Sequence, residues 1–162
     1  MINFEFDLPT KIIFGKDSQL KVADLFETYG KKVLIHYGSD RIKKNGLFSQ
    51  VAGLLKEKGI AYVELGGVKS NPSVKLSEKG AELCKKEKID MILAIGGGSV
   101  IDSAKAIAIG ACTEADIWSA YLGEIEVKKA LPIGVILTIS ASASEANAMS
   151  VISNYETHDK RA

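Results

Sequence analysis

Apolar positions along the chain change period several times, and each change marks an element. Lys32 to Tyr37, KVLIHY, is an apolar run too short for a helix and predicts a buried strand. Asn45 to Lys58 sets Leu47, Phe48, Val51, Leu54 and Leu55 on one face and ends at Gly59, which predicts an amphipathic helix. Ile60 to Leu65 predicts a second strand. Asn71-Pro72 then opens a helix, with Asn as N-cap and Pro at the first helical position. Met91 to Ile95 predicts a third strand, followed by Gly96, Gly97, Gly98 and a helix to about Gly110. Ile133 to Leu137 predicts a fourth strand and Ala148 to Ser153 a fifth. Upstream, the alternation from Asn3 to Asp7 predicts a strand with one wet face, and Lys11 to Phe14 a second that closes at Gly15. Together they read as an N-terminal β-hairpin. Ser18 to Tyr29 has helical spacing and stops at Gly30. Short apolar strands alternating with helices imply a doubly wound α/β domain, its parallel sheet covered on both faces.

Composition narrows the function. The 162 residues suit one domain, or one domain of a larger enzyme. With 21 basic and 20 acidic residues the net charge is +1, so nothing electrostatic favours a nucleic-acid or membrane partner. The stretch Ala130 to Ser153 carries only one charge, Glu145, but its Pro132 and many Ser and Thr residues predict strand and loop rather than a membrane span. The N-terminus has no signal-peptide pattern. Cys84 and Cys112 stand in apolar-periodic segments, which predicts buried free thiols and a cytoplasmic setting.

The candidate chemistry sits at the three glycines. Ligands of open α/β sheets bind beyond the carboxyl ends of the strands. Glycine permits positive φ and lets a ligand approach the main chain. A helix starting near Ser99 would aim its free N–H groups at that gap and form a phosphate seat. Ser99 adds a hydroxyl, and Asp102, in the first turn, is expected to cap free N–H groups. Neither G-x-G-x-x-G nor a P-loop is present.

GGGSVIDSAKAIA, residues 96 to 108, closely resembles the glycine-rich segment of the iron-containing (group III) alcohol dehydrogenases. The resemblance extends through FEFDLPTKIIFG, VLIHYG, KSNPSV and LTISASASEANAMSVISN, and covers essentially the whole chain. HYGSDRIKKNG is most similar to the butanol dehydrogenase and NADPH-dependent aldehyde reductase branch. Dehydroquinate synthases and glycerol dehydrogenases are related but differ within the glycine motif. The resemblance implies a Rossmann-like domain of the dehydroquinate synthase-like type, NAD or NADP as cofactor, and a primary alcohol or aldehyde as substrate. It implies that Gly97, Gly98 and Ser99 hold the pyrophosphate and that Gly38 and Asp40 lie beside the adenosine ribose, with Asn71 near the nucleotide. Thr138 and Ser142 would line the adenine and nicotinamide side, and Val151 and Lys160 would complete the groove. Ala143 stands where the family often has Gly, and Ser140 where this branch often has Pro. Asp40 stands where the branch often has Gly; a carboxylate there accepts from ribose hydroxyls and repels a 2′-phosphate, which leans toward NAD(H), whereas Arg41 beside it would favour that phosphate if it pointed inward, and the branch resemblance allows NADPH. A homodimer paired through the first strand is also implied.

The family's Fe²⁺ or Zn²⁺ is held by one Asp and three His of a helical C-terminal domain. The only histidines here are His36, in a predicted core strand, and His158, in a polar turn, so no metal ligands are expected in this chain. Residues 1–162 are therefore expected to be a cofactor domain without the metal-binding domain, catalytically silent alone. A non-enzymatic nucleotide-binding module and a relative of dehydroquinate synthase or glycerol dehydrogenase are the alternative readings.

Overall fold

The computed structural model describes residues 9–162. The four apolar runs form β1 (Lys32–Tyr37), β2 (Ala61–Leu65), β3 (Met91–Gly96) and β4 (Ile133–Leu137). They pair in parallel in the order β2-β1-β3-β4. Ile35 lies opposite Glu64 on one side and Leu93 on the other, and Leu93 lies opposite Gly134. The helices are α1 (Val22–Tyr29), α2 (Arg41–Lys44), α3 (Leu47–Glu57), α4 (Val74–Glu87), α5 (Gly98–Gly110) and α6 (Ile117–Tyr121).

Strand alternation sends side chains to two cores. Val33, Ile35, Tyr37, Met91, Leu93 and Ile95 pack with Phe26 of α1 and Val51 and Leu55 of α3. Leu34, Ile92 and Ala94 pack on the other face with Cys84 of α4 and Ile101, Ala104 and Ile107 of α5. The helices fall on these faces because crossovers between parallel strands are right-handed. From β1 the chain steps outward to β2; from β3 it steps the opposite way to β4. The connections therefore diverge between β1 and β3, and the carboxyl ends of those two strands form the switch-point crevice where such sheets bind ligands.

Three expectations change. Lys11 to Phe14 forms no strand with any described residue: the segment is irregular, with Phe14 98% exposed. Its expected partner, Asn3 to Asp7, lies outside the described residues. Asn71 does not cap α4. It sits in the left-handed region at φ 58, which Asn tolerates, while Ser73 takes the extended N-cap conformation and accepts from Leu76 N. The expected fifth strand is not in the parallel sheet. It begins later, as β5 (Ile152–Asn154), and pairs antiparallel with β6 (Asp159–Arg161). This hairpin docks on the α4 entry through Ser153 N, which donates to Pro72 O at 2.9 Å. Residues 130–153 supply β4, the following loop and the start of β5, and no helix among the described residues is long and apolar enough to cross a membrane.

Candidate functional site at the switch point

Gly38 follows β1 and Gly96 ends β3, so the crevice opens between them. A β-carbon on Gly38 would lie a tight 3.3 Å from Val68 O, so packing already favours glycine there, and 3.7 Å from Val100 Cγ2, which places the two strand exits side by side. None of the three motif glycines uses positive φ. Their presence therefore does not rest on backbone freedom, contrary to one part of the sequence argument. Gly96 is explained by packing, because a β-carbon there would meet Val100 Cγ2 at 2.4 Å. Gly97 and Gly98 are not so explained. Added β-carbons would find their nearest neighbours at an ordinary 3.6 Å, Ile139 O for Gly97 and Ser142 Oγ for Gly98. Nothing inside the fold forbids a β-carbon at either, so packing does not account for glycine at these two positions.

The mouth of α5 is also open. Ser73 caps α4 and Asp116 caps α6, but no side chain caps α5 at Gly97. Val100 N and Ile101 N donate to Gly97 O, so the first-turn N–H groups of Gly98 and Ser99 are the ones aimed outward. The helix dipole adds partial positive charge at that point. Ser99 is half-buried beside them.

Residues 138–151 wall the crevice on the β4 side. Thr138 N donates to Gly96 O, and Ile139 and Ser142 approach Gly97 and Gly98. Asp102 plays a different part from the expected cap. Its Oδ1 accepts from Ser144 Oγ at 2.7 Å and its Oδ2 from Val151 N at 3.2 Å, so it ties down this segment. Lys105, which the sequence reading passed over, donates to Ser144 Oγ, Asn147 Oδ1 and Met149 O at 3.0, 3.3 and 2.6 Å. Burial lowers its pKa, against the raising effects of Asp102 and Glu145. The signal was present: Asp102 and Lys105 are the only charges in α5 and lie three apart, on one face.

Other expected site residues spread along the same edge. Asp40 is exposed and immediately precedes α2, two residues past Gly38. Asn71 and Lys160 pair with each other, Nζ donating to Oδ1 at 2.7 Å, and Tyr155 OH donates to Asn71 O. Val151 is held by its backbone to Asp102.

His36 lies in the core. Its Nδ1 is 2.8 Å from Leu65 O, which can only accept, so that nitrogen carries the proton and Nε2 accepts from Ser103 Oγ at 2.9 Å. Burial holds its pKa down at about 4. His158 is exposed in the β5–β6 turn. Among the described residues no three His, Cys, Asp or Glu gather to hold a metal. Cys84 is buried, its thiol pushed up to about 12 by burial, whereas Cys112 is only half-buried, short of the expected burial; both are free. A broad open hollow of about 730 Å³ lies by Gly59 and Ala61, at the amino end of β2 and away from this crevice.

The fold and this edge define a doubly wound α/β domain whose α5 opens without a side-chain cap at the switch point. Residues 9–162 match the family described as iron-containing alcohol dehydrogenase. The chain is 48% identical over 160 residues to the probable NADH-dependent butanol dehydrogenase 2 of Bacillus subtilis, covering 99% of this chain and 41% of that protein. It is 39% identical over 167 residues to the NADPH-dependent aldehyde reductase YqhD of Escherichia coli, covering 100% and 42%. The crystal structure of NADH-dependent butanol dehydrogenase A from Thermotoga maritima superposes with a TM-score of 0.95 at 46% identity, covering 98% of this chain and 40% of that one. The chain belongs to the iron-containing alcohol dehydrogenase family, and it spans about 41% of the length of the curated relatives it matches.

Proposed function

We propose that this chain is the cofactor domain of a metal-dependent alcohol dehydrogenase or aldehyde reductase and that it binds NAD(H) in the switch-point crevice. The observation that carries the reading is the bare surface of Gly97 and Gly98 at the uncapped mouth of α5. The N–H groups of Gly98 and Ser99 hold the pyrophosphate, with the Ser99 hydroxyl as a further donor. Gly38 leaves room for the adenosine ribose, and Asp40 accepts from its hydroxyls. Thr138 and Ser142 line the far side, toward the adenine and nicotinamide. Asn71, Val151 and Lys160 close the groove, and Asp102 holds the wall in place. The bound nicotinamide supplies the hydride acceptor or donor for a primary alcohol or aldehyde. The described residues do not fit the metal, so its ligands belong to chain of the kind the longer relatives have beyond the matched part. A homodimer and a cytoplasmic location complete the reading; the free thiols suit a reducing compartment.

Asp40 favours NAD(H), and the name of the B. subtilis relative, which specifies NADH, supports that choice. Titration of nicotinamide fluorescence with NADH and NADPH tests both points. NADH should bind at least tenfold tighter, and Asp40→Gly should narrow the gap. A native preference for NADPH would remove the role of Asp40, and binding of neither would remove the function.

A further inference from the structure

The segment 138–151 has little of its own to hold it. Its one regular element is a 3₁₀ turn at Ser144–Ala146, and its larger apolar side chains Ile139 and Met149 are 66% and 61% exposed. Hydrophobic burial therefore does not fix it; polar ties do, at its start from Thr138 N to Gly96 O, near its end between Tyr121 OH and Ser150 Oγ, and across its middle to α5. Lys105 spends all three ammonium donors on this segment, at Ser144 Oγ, Asn147 Oδ1 and Met149 O. Ser144 is 4% exposed, and its hydroxyl accepts from Lys105 while donating to Asp102. Asn147 passes the restraint on, donating from Nδ2 to Ala143 O at 2.8 Å and accepting from Met149 N at 2.9 Å. Ala143 adjoins Ser142, whose Oγ faces Gly98. The ties thus run without a gap from a half-buried cation to the wall of the crevice.

We propose that Lys105 is a positioning residue for the cofactor crevice: its three-way tie to residues 144–149 sets the wall at Ser142 and thereby the affinity for NADH. The inference rests on the cofactor reading above. Charge-assisted bonds to a half-buried cation are stronger than neutral ones, and losing one partner leaves the others unpaired.

The test joins amide hydrogen exchange with NADH titration on this chain and its Lys105→Met variant. Exchange across residues 139–150 should speed up about tenfold while β1 and β3 stay protected, and NADH should bind about tenfold more weakly. Ser144→Ala, which alters no charge, should move both readouts the same way and covers the case in which Lys105→Met does not fold. The double variant should show less than the sum of the two effects, since both act through one tie. Unchanged exchange in the loop overturns the proposal, and so does a loosened loop with NADH affinity within twofold. If the unaltered chain binds no NADH, the cofactor reading itself has failed. If NADH binds chain and variant alike, the tie alone has failed.

Discussion

At the closed end of α5, a β-carbon on Gly110 would come within 2.4 Å of Ile117 Cδ1 and 2.9 Å of Ala81 Cβ. At its mouth, β-carbons on Gly97 and Gly98 would meet nothing nearer than 3.6 Å. The closed end has glycine because helices α4, α5 and α6 pack there. The mouth has glycine with no such cause, beside outward N–H groups. The same contrast separates the polar groups. Beneath the body of α5, Ser103 and His36 are fully buried and satisfied within the protein. At the mouth, Ser99 and Ser142 remain accessible. A glycine or hydroxyl near a strand end is evidence for a ligand only after the fold's own claim on it has been subtracted.

The sealed half should give the largest effects. His36 is neutral when folded, its pKa depressed from 6.5 to about 4, so protonation favours the unfolded chain. Its contribution is complete above about pH 6.5 and is lost as pH falls toward 4, amounting to about 3 kcal/mol. Urea unfolding across that window should show the loss, and His36→Gln, which does not titrate, should flatten the slope. An identical slope in both would place His36 in contact with water. Next comes Gly80, where a β-carbon would lie 2.5 Å from Ile107 Cδ1 and 2.7 Å from its Cγ1. Alanine in an open helix would stabilise by about 1 kcal/mol. Because Ile107 is fully buried and Leu65 Cδ2 would also lie at 3.0 Å, Gly80→Ala should instead overpack the core and destabilise by roughly 1–3 kcal/mol. A gain measured by thermal or urea unfolding would break the packing account. The smallest effect belongs to the loop at the mouth. Ala143 sits in the left-handed region at φ 54, which is why glycine suits that position. Ala143→Gly should stabilise by up to about 1 kcal/mol, relieved strain being partly offset by the freedom glycine has when unfolded. A loss would mean that the methyl group itself is needed.

Much of this was legible in the residues. The beat of apolar runs located all four parallel strands, and KVLIHY and MILAI declared themselves two-sided by lacking polar alternation. The glycine turn was legible because strand, glycines and helix follow one another locally. Part of what escapes is local backbone geometry: residue type makes Asn71 a cap candidate, but the cap is set by the φ and ψ of Ser73 two residues on. The rest is non-local. Asp102 was read as serving its own helix, yet its partners lie more than forty residues away, at Ser144 and Val151. Lys105 was missed for the same reason. The exit of β5 from the main sheet follows from its pairing with Asp159–Arg161, which no hydrophobic period records.

The central claim is that Gly98 is bare for a ligand and not for the fold, and Gly98→Ala tests it most directly. The added methyl has an ordinary 3.6 Å contact with Ser142 Oγ, so the variant should fold with stability unchanged or higher by up to about 1 kcal/mol. The same methyl would stand where a pyrophosphate meets the main chain, so NADH affinity measured by calorimetry should fall at least tenfold. A variant as stable as its parent that binds NADH equally well would contradict the account.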